Sequence, residues 1–119
     1  MTRYVDGYLL VLPKKNLATY RKMAQIGCRV WTDHGALAYR ETVGDDLASG
    51  FGLPFPKLCK AKKGETIVFA YVEFRSRAHR DRTNAAVMKD PRLAAMCGKK
   101  MPFDMKRMSV GGFKTLVAS

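Results

Sequence analysis

A chain of 119 residues makes one domain and buries enough apolar surface for a single core without disulfide or metal support. Its composition, 47% hydrophobic and 27% charged, is that of an ordinary globular protein, and no apolar run approaches the roughly 20 residues of a membrane helix. The net charge of +12 favours acidic partners such as nucleic acid, anionic metabolites or phosphate groups, although a basic surface that is merely solvated has the same composition.

Tyr4 to Leu12 reads as the first strand, rich in aromatic and branched residues and ended by Pro13. Asn16 is placed to cap a helix starting at Leu17. Leu17, Tyr20, Ala24, Gly27, Cys28 and Trp31 recur at helical spacing as its core stripe, and Gly35 supplies a left-handed stop. Leu37 to Val43 reads as the second strand. From Asp45 to Lys63 the chain is irregular, punctuated by Gly50, Gly52, Pro54 and Pro56 with Phe51, Leu53 and Phe55 between them. This segment is too long for a routine hairpin loop, so it is expected to pack on something or to form an extended arm. Lys57, Lys60, Lys62 and Lys63 lead into a turn at Gly64, and Glu65 to Phe74 carries the strongest strand signal of the chain.

Ser76 caps a second helix from Arg77 to Lys89 whose inward face is His79, Thr83, Ala86 and Val87. Asp90-Pro91 starts a further turn through Leu93 and Met96, with Asp90 as cap and Pro91 at the first helical position. Lys99 to Asp104 is a linker, and Arg107 to Val117 is the last strand, where Gly111-Gly112 marks a bulge or a close backbone approach.

The order β-α-β-β-α-β predicts an α+β, ferredoxin-like fold: a four-stranded antiparallel sheet with both helices on one face. In the third strand Val68, Ala70, Val72 and Phe74 then point one way and Ile67, Phe69, Tyr71 and Glu73 the other. Both sets are largely apolar, whereas a sheet with one face in water alternates with polar residues. The second face is therefore expected to be covered by a second copy of the chain, a ligand or a nucleic acid.

Several stretches resemble a known family. They are Tyr4-Val5-Asp6-Gly7; His34-Gly35-Ala36-Leu37 with Tyr39-Arg40-Glu41; Val68-Phe69; Phe74-Arg75-Ser76-Arg77-Ala78-His79-Arg80-Asp81, continuing to Asn84, Val87-Met88 and Asp90-Pro91-Arg92-Leu93; and Met101-Pro102-Phe103-Asp104 with Lys106-Arg107-Met108 and Gly111-Gly112-Phe113. Together they are similar to the YbaA-like family of small, uncharacterised bacterial proteins. The resemblance implies a ferredoxin-like fold of the dimeric α/β-barrel group, in which two sheets pack face to face. It implies no function, since fold alone does not decide one.

Candidate chemistry is sparse. No nucleophile triad, phosphate loop or cofactor fingerprint is present, and no cofactor is expected. Cys28, Cys59 and Cys97 are widely spaced and form no CxxC pair, and there are two histidines, so no metal site is expected; reduced thiols point to a cytoplasmic protein. The opening Met1-Thr2-Arg3-Tyr4-Val5-Asp6-Gly7 lacks the apolar core and cleavage site of a signal peptide. The catalytic candidates are His34, at the end of the first helix and near the edge residues Arg40 and Glu41, and His79, on the inward side of the second helix. A helix-capping surface histidine and a hydrogen-bonded core histidine are the plainer readings of these two. Arg40 and Glu41 face opposite ways on the second strand, so one of them points toward the apolar face and needs a partner there, in an inter-subunit salt bridge or a pocket. Arg75, Arg77, Arg80, Arg82, Asp81 and Asp90 read as a solvated helix surface or as an anion site at the helix start. Lys57 and Lys60 beside Cys59 would lower its pKa, but no histidine is placed to activate it, so a bystander thiol is the plainer reading.

Three functions follow as expectations. The first is a homodimer that holds a small organic ligand between its sheets, with Tyr8, Phe69, Tyr71, Arg75 and Phe103 as ligand-binding candidates and simple acid/base chemistry open to it. The second is an RNA-binding module. Phe69-Ala70-Tyr71-Val72-Glu73-Phe74 fits the last six positions of the RNA-recognition-motif signature, while Ile67 and Val68 stand where a basic residue and glycine belong. The third is a structural or regulatory partner protein using the Phe51–Phe55 arm.

Overall fold

The computed structural model describes residues 3–48 and 50–119. Residues 1–2 of the opening segment and residue 49 of the irregular 45–63 stretch lie outside them. The elements are β1 (Tyr4–Pro13), α1 (Leu17–Asp33), β2 (Ala38–Val43), the short α2 (Phe55–Leu58), β3 (Glu65–Phe74), α3 (Arg77–Met88), α4 (Pro91–Cys97) and β4 (Ser109–Lys114). The sheet order is β2-β3-β1-β4 and every neighbouring pair is antiparallel, which is the ferredoxin-like topology.

Strand alternation sorts the sheet as the sequence predicts. Val68, Ala70, Val72 and Phe74 of β3 are buried under the helices with Leu10 and Leu12 of β1. Phe69, on the opposite face, keeps 48% of its surface exposed. The helices close the core with Tyr20 and Val30 from α1, Val87 from α3 and Leu93 from α4. Val30 lies off the expected α1 stripe because α3 and α4 flank that side of the helix and bury it completely.

The 45–63 segment is neither free nor regular. Its short helix α2 packs against β3, and the Phe55 ring meets Phe69 edge-on at 6.4 Å. It therefore covers one end of the open face, where Ile67 is as buried as a core residue. Arg107 ties the segment down by two bonds to Glu65 (2.7 and 3.0 Å) and one to the Lys60 carbonyl (3.0 Å). The Arg107 guanidinium, then the Lys62 backbone N–H, holds the Glu65 carboxyl at about 2 instead of the ordinary 4.5. A lowered folded-state pKa stabilises the protein above 4.5, and that contribution fades as pH falls toward 2. The difference in thermal midpoint between wild type and Glu65→Gln is accordingly expected to shrink across that window; a gap that stays constant down to pH 2 contradicts the clamp.

Three local expectations are corrected. Asn16 stands at the start of α1, but its side chain donates to the Pro102 carbonyl (2.9 Å) instead of capping the helix. A single turn of 3₁₀ helix, Lys14–Asn16, leads into α1 and takes over the entry. The last strand covers only Ser109–Lys114, because Met105–Arg107 turns in a 3₁₀ helix and Leu116 and Val117 are exposed beyond the sheet. Arg80 and Asp90 do not belong to a solvated surface. Arg80 reaches over the Tyr4 ring to the buried Asp6 (2.8 Å), which also accepts from Asn84 (3.1 Å). Asp90 caps α4 and is held by Arg92 and His34.

The glycine pair makes a close approach without a bulge: Gly111 and Gly112 pair in register with Gly7 and Asp6. A Cβ on Gly112 would run into the Tyr4 ring, which sits under Arg80. Gly112→Ala is expected to cost about 1–3 kcal/mol in urea unfolding, and a neutral result would mean that Tyr4 moves freely.

Candidate ligand site between the first helix and the sheet

On β2 the pairing register decides which of two adjacent charges turns inward. Tyr39 pairs with Val72 and Glu41 with Ala70, residues whose side chains lie under the helices, so Tyr39 and Glu41 face inward as well. Arg40 pairs with Tyr71 and points to the open face, where its Nε donates to the Tyr71 hydroxyl at 3.2 Å. From above, α1 lowers Tyr20 onto the same spot. The Tyr20 hydroxyl donates to one Glu41 oxygen at 2.7 Å, and the Tyr39 hydroxyl to the other at 2.6 Å. Gly27 makes room for the arrangement, since a Cβ there would stand 2.9 Å from the Tyr39 hydroxyl.

The cluster sits in the wall of a cavity of about 120 Å³ whose aromatic lining is Tyr8, Tyr20, Trp31, Tyr39, Tyr71 and Phe103. Tyr20 and Phe103 pack edge-on at 5.7 Å, and Trp31 is anchored by its indole N–H to Asn84 at 3.0 Å. Burial, then Asp6 and Glu41, pushes the Tyr8 phenol up to about 12. Burial and then Glu41 raise Tyr20 and Tyr39 further, so all three phenols stay neutral at physiological pH. Among the described residues the Tyr8 hydroxyl makes no hydrogen bond. A second, more open hollow of about 450 Å³ runs along α1 and β2, shares Tyr20, Tyr39 and Glu41 with the cavity, and adds Arg21, Cys28 and Thr42. The hydrogen-bonded trio thus separates an inner chamber from an outer groove.

The other face of the sheet carries an apolar concavity of about 450 Å³ lined by Val5, Leu9, Phe69, Tyr71, Val110 and Phe113. Phe69, Tyr71 and Phe113 present rings to it, and Tyr8, whose strand position turns it toward the helices, also reaches its lining.

The sequence candidates separate into four places. Glu41 and Phe103 line the inner cavity, Arg40 and Phe69 lie on the open face, and Tyr8 and Tyr71 border both hollows. Arg75 is exposed just beyond β3 and lines neither, because the strand ends before it. His34 is drawn away from Arg40 and Glu41 by its 2.8 Å bond to Asp90 across the α1–α4 junction. Arg92 and then His34 hold the Asp90 carboxyl well below its usual range. His79 is buried against Phe74, where its Nδ1 accepts from the Arg75 backbone N–H at 3.0 Å. Burial, reinforced by Arg75 and Arg82, pushes its pKa down. The Cys59 thiol is raised by burial, with Arg107 opposing, in keeping with a bystander thiol. Among the described residues no group of three or more His, Cys, Asp or Glu side chains could hold a metal ion. Tyr20 and Tyr39 are the site residues that sequence reading missed. The signal lay in Tyr39 and Glu41 sharing one face two residues apart and in Tyr20 standing on the inward stripe of α1.

Comparison with known proteins agrees with this fold. The family model described as a protein of unknown function, DUF1428, matches residues 3–105. The chain belongs to the DUF1428 family. Within DUF1428 it is 36% identical over 115 residues to the uncharacterized protein YbaA of Escherichia coli K12, covering 97% of each chain; the YbaA of Shigella flexneri matches equally. Among solved structures, a nipsnap family protein with unknown function from Agrobacterium tumefaciens superposes with a TM-score of 0.59 at 18% identity, covering 95% of this chain and 87% of that one. Rv0793 from Mycobacterium tuberculosis gives 0.61 at 11% identity over 98% of both chains. A dimeric ferredoxin-like protein from an uncultured marine organism gives 0.55 at 11% identity, covering 100% of this chain and 98% of that one. At these identities the three structures establish for DUF1428 the ferredoxin-like fold alone. No helix among the described residues is long and apolar enough to cross a membrane.

Proposed function

We propose that this protein is a homodimer, paired through its open sheet faces, that binds a small organic molecule in the cavity between α1 and the sheet. The cavity carries the ligand half of the reading. It combines apolar walls with a few convergent polar groups, namely the Glu41 carboxylate and the free Tyr8 hydroxyl, as small-molecule sites do. An apolar cavity of about 150 Å³ holds a benzene ring, so the volume here suits one small ring or a short branched chain. The dimer half rests on the open face, where Phe113 and Phe69 stay 62% and 48% exposed on a surface with few polar groups. A ferredoxin-like protein of similar fold is described as dimeric. The ligand site lies on the helix side of each sheet, so pairing of the open faces leaves it accessible along the α1–β2 groove. This placement replaces the expected position between the sheets.

Trp31 is the single tryptophan and lines the cavity, so its fluorescence reports occupancy directly. Titration with a panel of monocyclic and short branched alcohols, acids and amines is expected to give saturable quenching by at least one class. Widening Ala24, which lines both hollows, to phenylalanine is expected to abolish it. A flat response to the whole panel overturns the ligand reading. Covalent or redox chemistry is not required, because the trio only accepts and donates hydrogen bonds.

A further inference from the structure

The chain holds three glutamates, Glu41, Glu65 and Glu73. Glu65 is paired with Arg107 at 2.7 Å and Glu73 with Arg3 at 2.8 Å. Among the described residues Glu41 has no cationic partner, although Lys and Arg number 22 against 10 acidic residues. Arg21 lines the outer groove beside it, yet stays exposed and forms no ion pair with it. An inward carboxylate without a counter-ion is costly, and partly buried charges are ordinarily paired. The phenols of Tyr20 and Tyr39 occupy one acceptor position on each oxygen, and an ionised carboxylate has about four. Glu41 lines the inner cavity together with Tyr8, Trp31 and Phe103, and the outer groove together with Arg21. Aromatic rings and a carboxylate around one small chamber are the chemistry that binds an organic ammonium: the rings attract it through their quadrupoles and the carboxylate neutralises it.

We infer that the ligand of this cavity is a small organic cation, an alkylammonium compact enough for 120 Å³, held by Glu41 among Tyr8, Tyr20, Trp31, Tyr39 and Phe103. The inference rests on the proposed ligand site and specifies its substrate class. Glu41 then acts as counter-ion, Tyr20 and Tyr39 orient its two oxygens, and the Tyr8 hydroxyl is free for a polar substituent of the ligand. The positive charge of the rest of the chain repels such cations from the surface, so selectivity falls to the one carboxylate that lines this cavity.

Trp31 fluorescence of the full chain, titrated with choline, with tetramethylammonium and with 3,3-dimethylbutan-1-ol, the uncharged isostere of choline, tests this. Choline is expected to bind about tenfold or more tightly than the isostere. Glu41→Gln removes the charge with little change of shape, and is expected to remove that preference. Equal affinity for choline and the alcohol overturns the cation assignment and leaves the ligand site standing. Saturable binding of neutral or acidic panel members without either ammonium compound overturns it too, and silence from every compound removes the site along with it. Should Glu41→Gln unfold, the wild-type ratio of choline to isostere decides alone.

Discussion

Phe69→Glu is expected to split the protein into monomers. Light scattering of the wild type at micromolar concentration should give about twice the chain mass of 13.3 kDa, and the variant 13.3 kDa. Phe69 lies at the centre of the open face between the ring of Phe55 and the Tyr71 position. In a two-fold dimer the same residue enters the interface twice, so each substitution acts twice. At about 2 kcal/mol or more for each buried charge, the pair weakens association by about a thousandfold. Half of the side chain is already exposed within one chain, so the fold itself should survive, as far-ultraviolet circular dichroism would show. Phe55→Ala removes the neighbouring ring without adding charge and should leave the mass of the dimer unchanged. A wild type at 13.3 kDa, or a glutamate variant that stays dimeric, defeats the proposed assembly.

Asp6→Ala is expected to be among the most destabilising single changes. Asp6 is 3% exposed on the helix side of β1, and its two oxygens bind Arg80 at 2.8 Å and Asn84 at 3.1 Å. These bonds join strand and helix across more than 70 residues of sequence, pinning α3 over β1. Truncation leaves the Arg80 guanidinium with exposed Asp81 as its remaining carboxylate and strips Asn84 of its acceptor. Breaking a buried pair from one side costs about 3–5 kcal/mol. For a domain of this size that is a fall in thermal midpoint of about 10–20 °C. Asp6→Asn keeps the shape and one acceptor and should lose less. A midpoint unchanged in Asp6→Ala would mean that packing of Val87 and Thr83 alone seats the helix.

The elements were legible because each carries a local period. Alternation in 65–74 and the 3.6-residue stripe of 17–31 register which side chains share a face, and caps such as Ser76 and Asp90 act on backbone groups two or three residues away. The order of those elements then leaves few topologies open. The ends of the chain were less legible, because the 3₁₀ turn at Met105–Arg107 is held by Arg107 reaching Glu65, a partner 42 residues away.

The amino-acid sequence alone determined the ferredoxin-like order, the apolar second face and the opposite facing of Arg40 and Glu41. Only the tertiary structure decided that Glu41 is the one turned inward, that Tyr20 and Tyr39 close on it, and that His34 goes to Asp90 instead. Periodicity states that two residues share a face or do not, but which face is the inner one depends on strand register. Register, and the meeting of side chains from different elements, follow from how sheet and helices close on each other, and no local pattern encodes that distance.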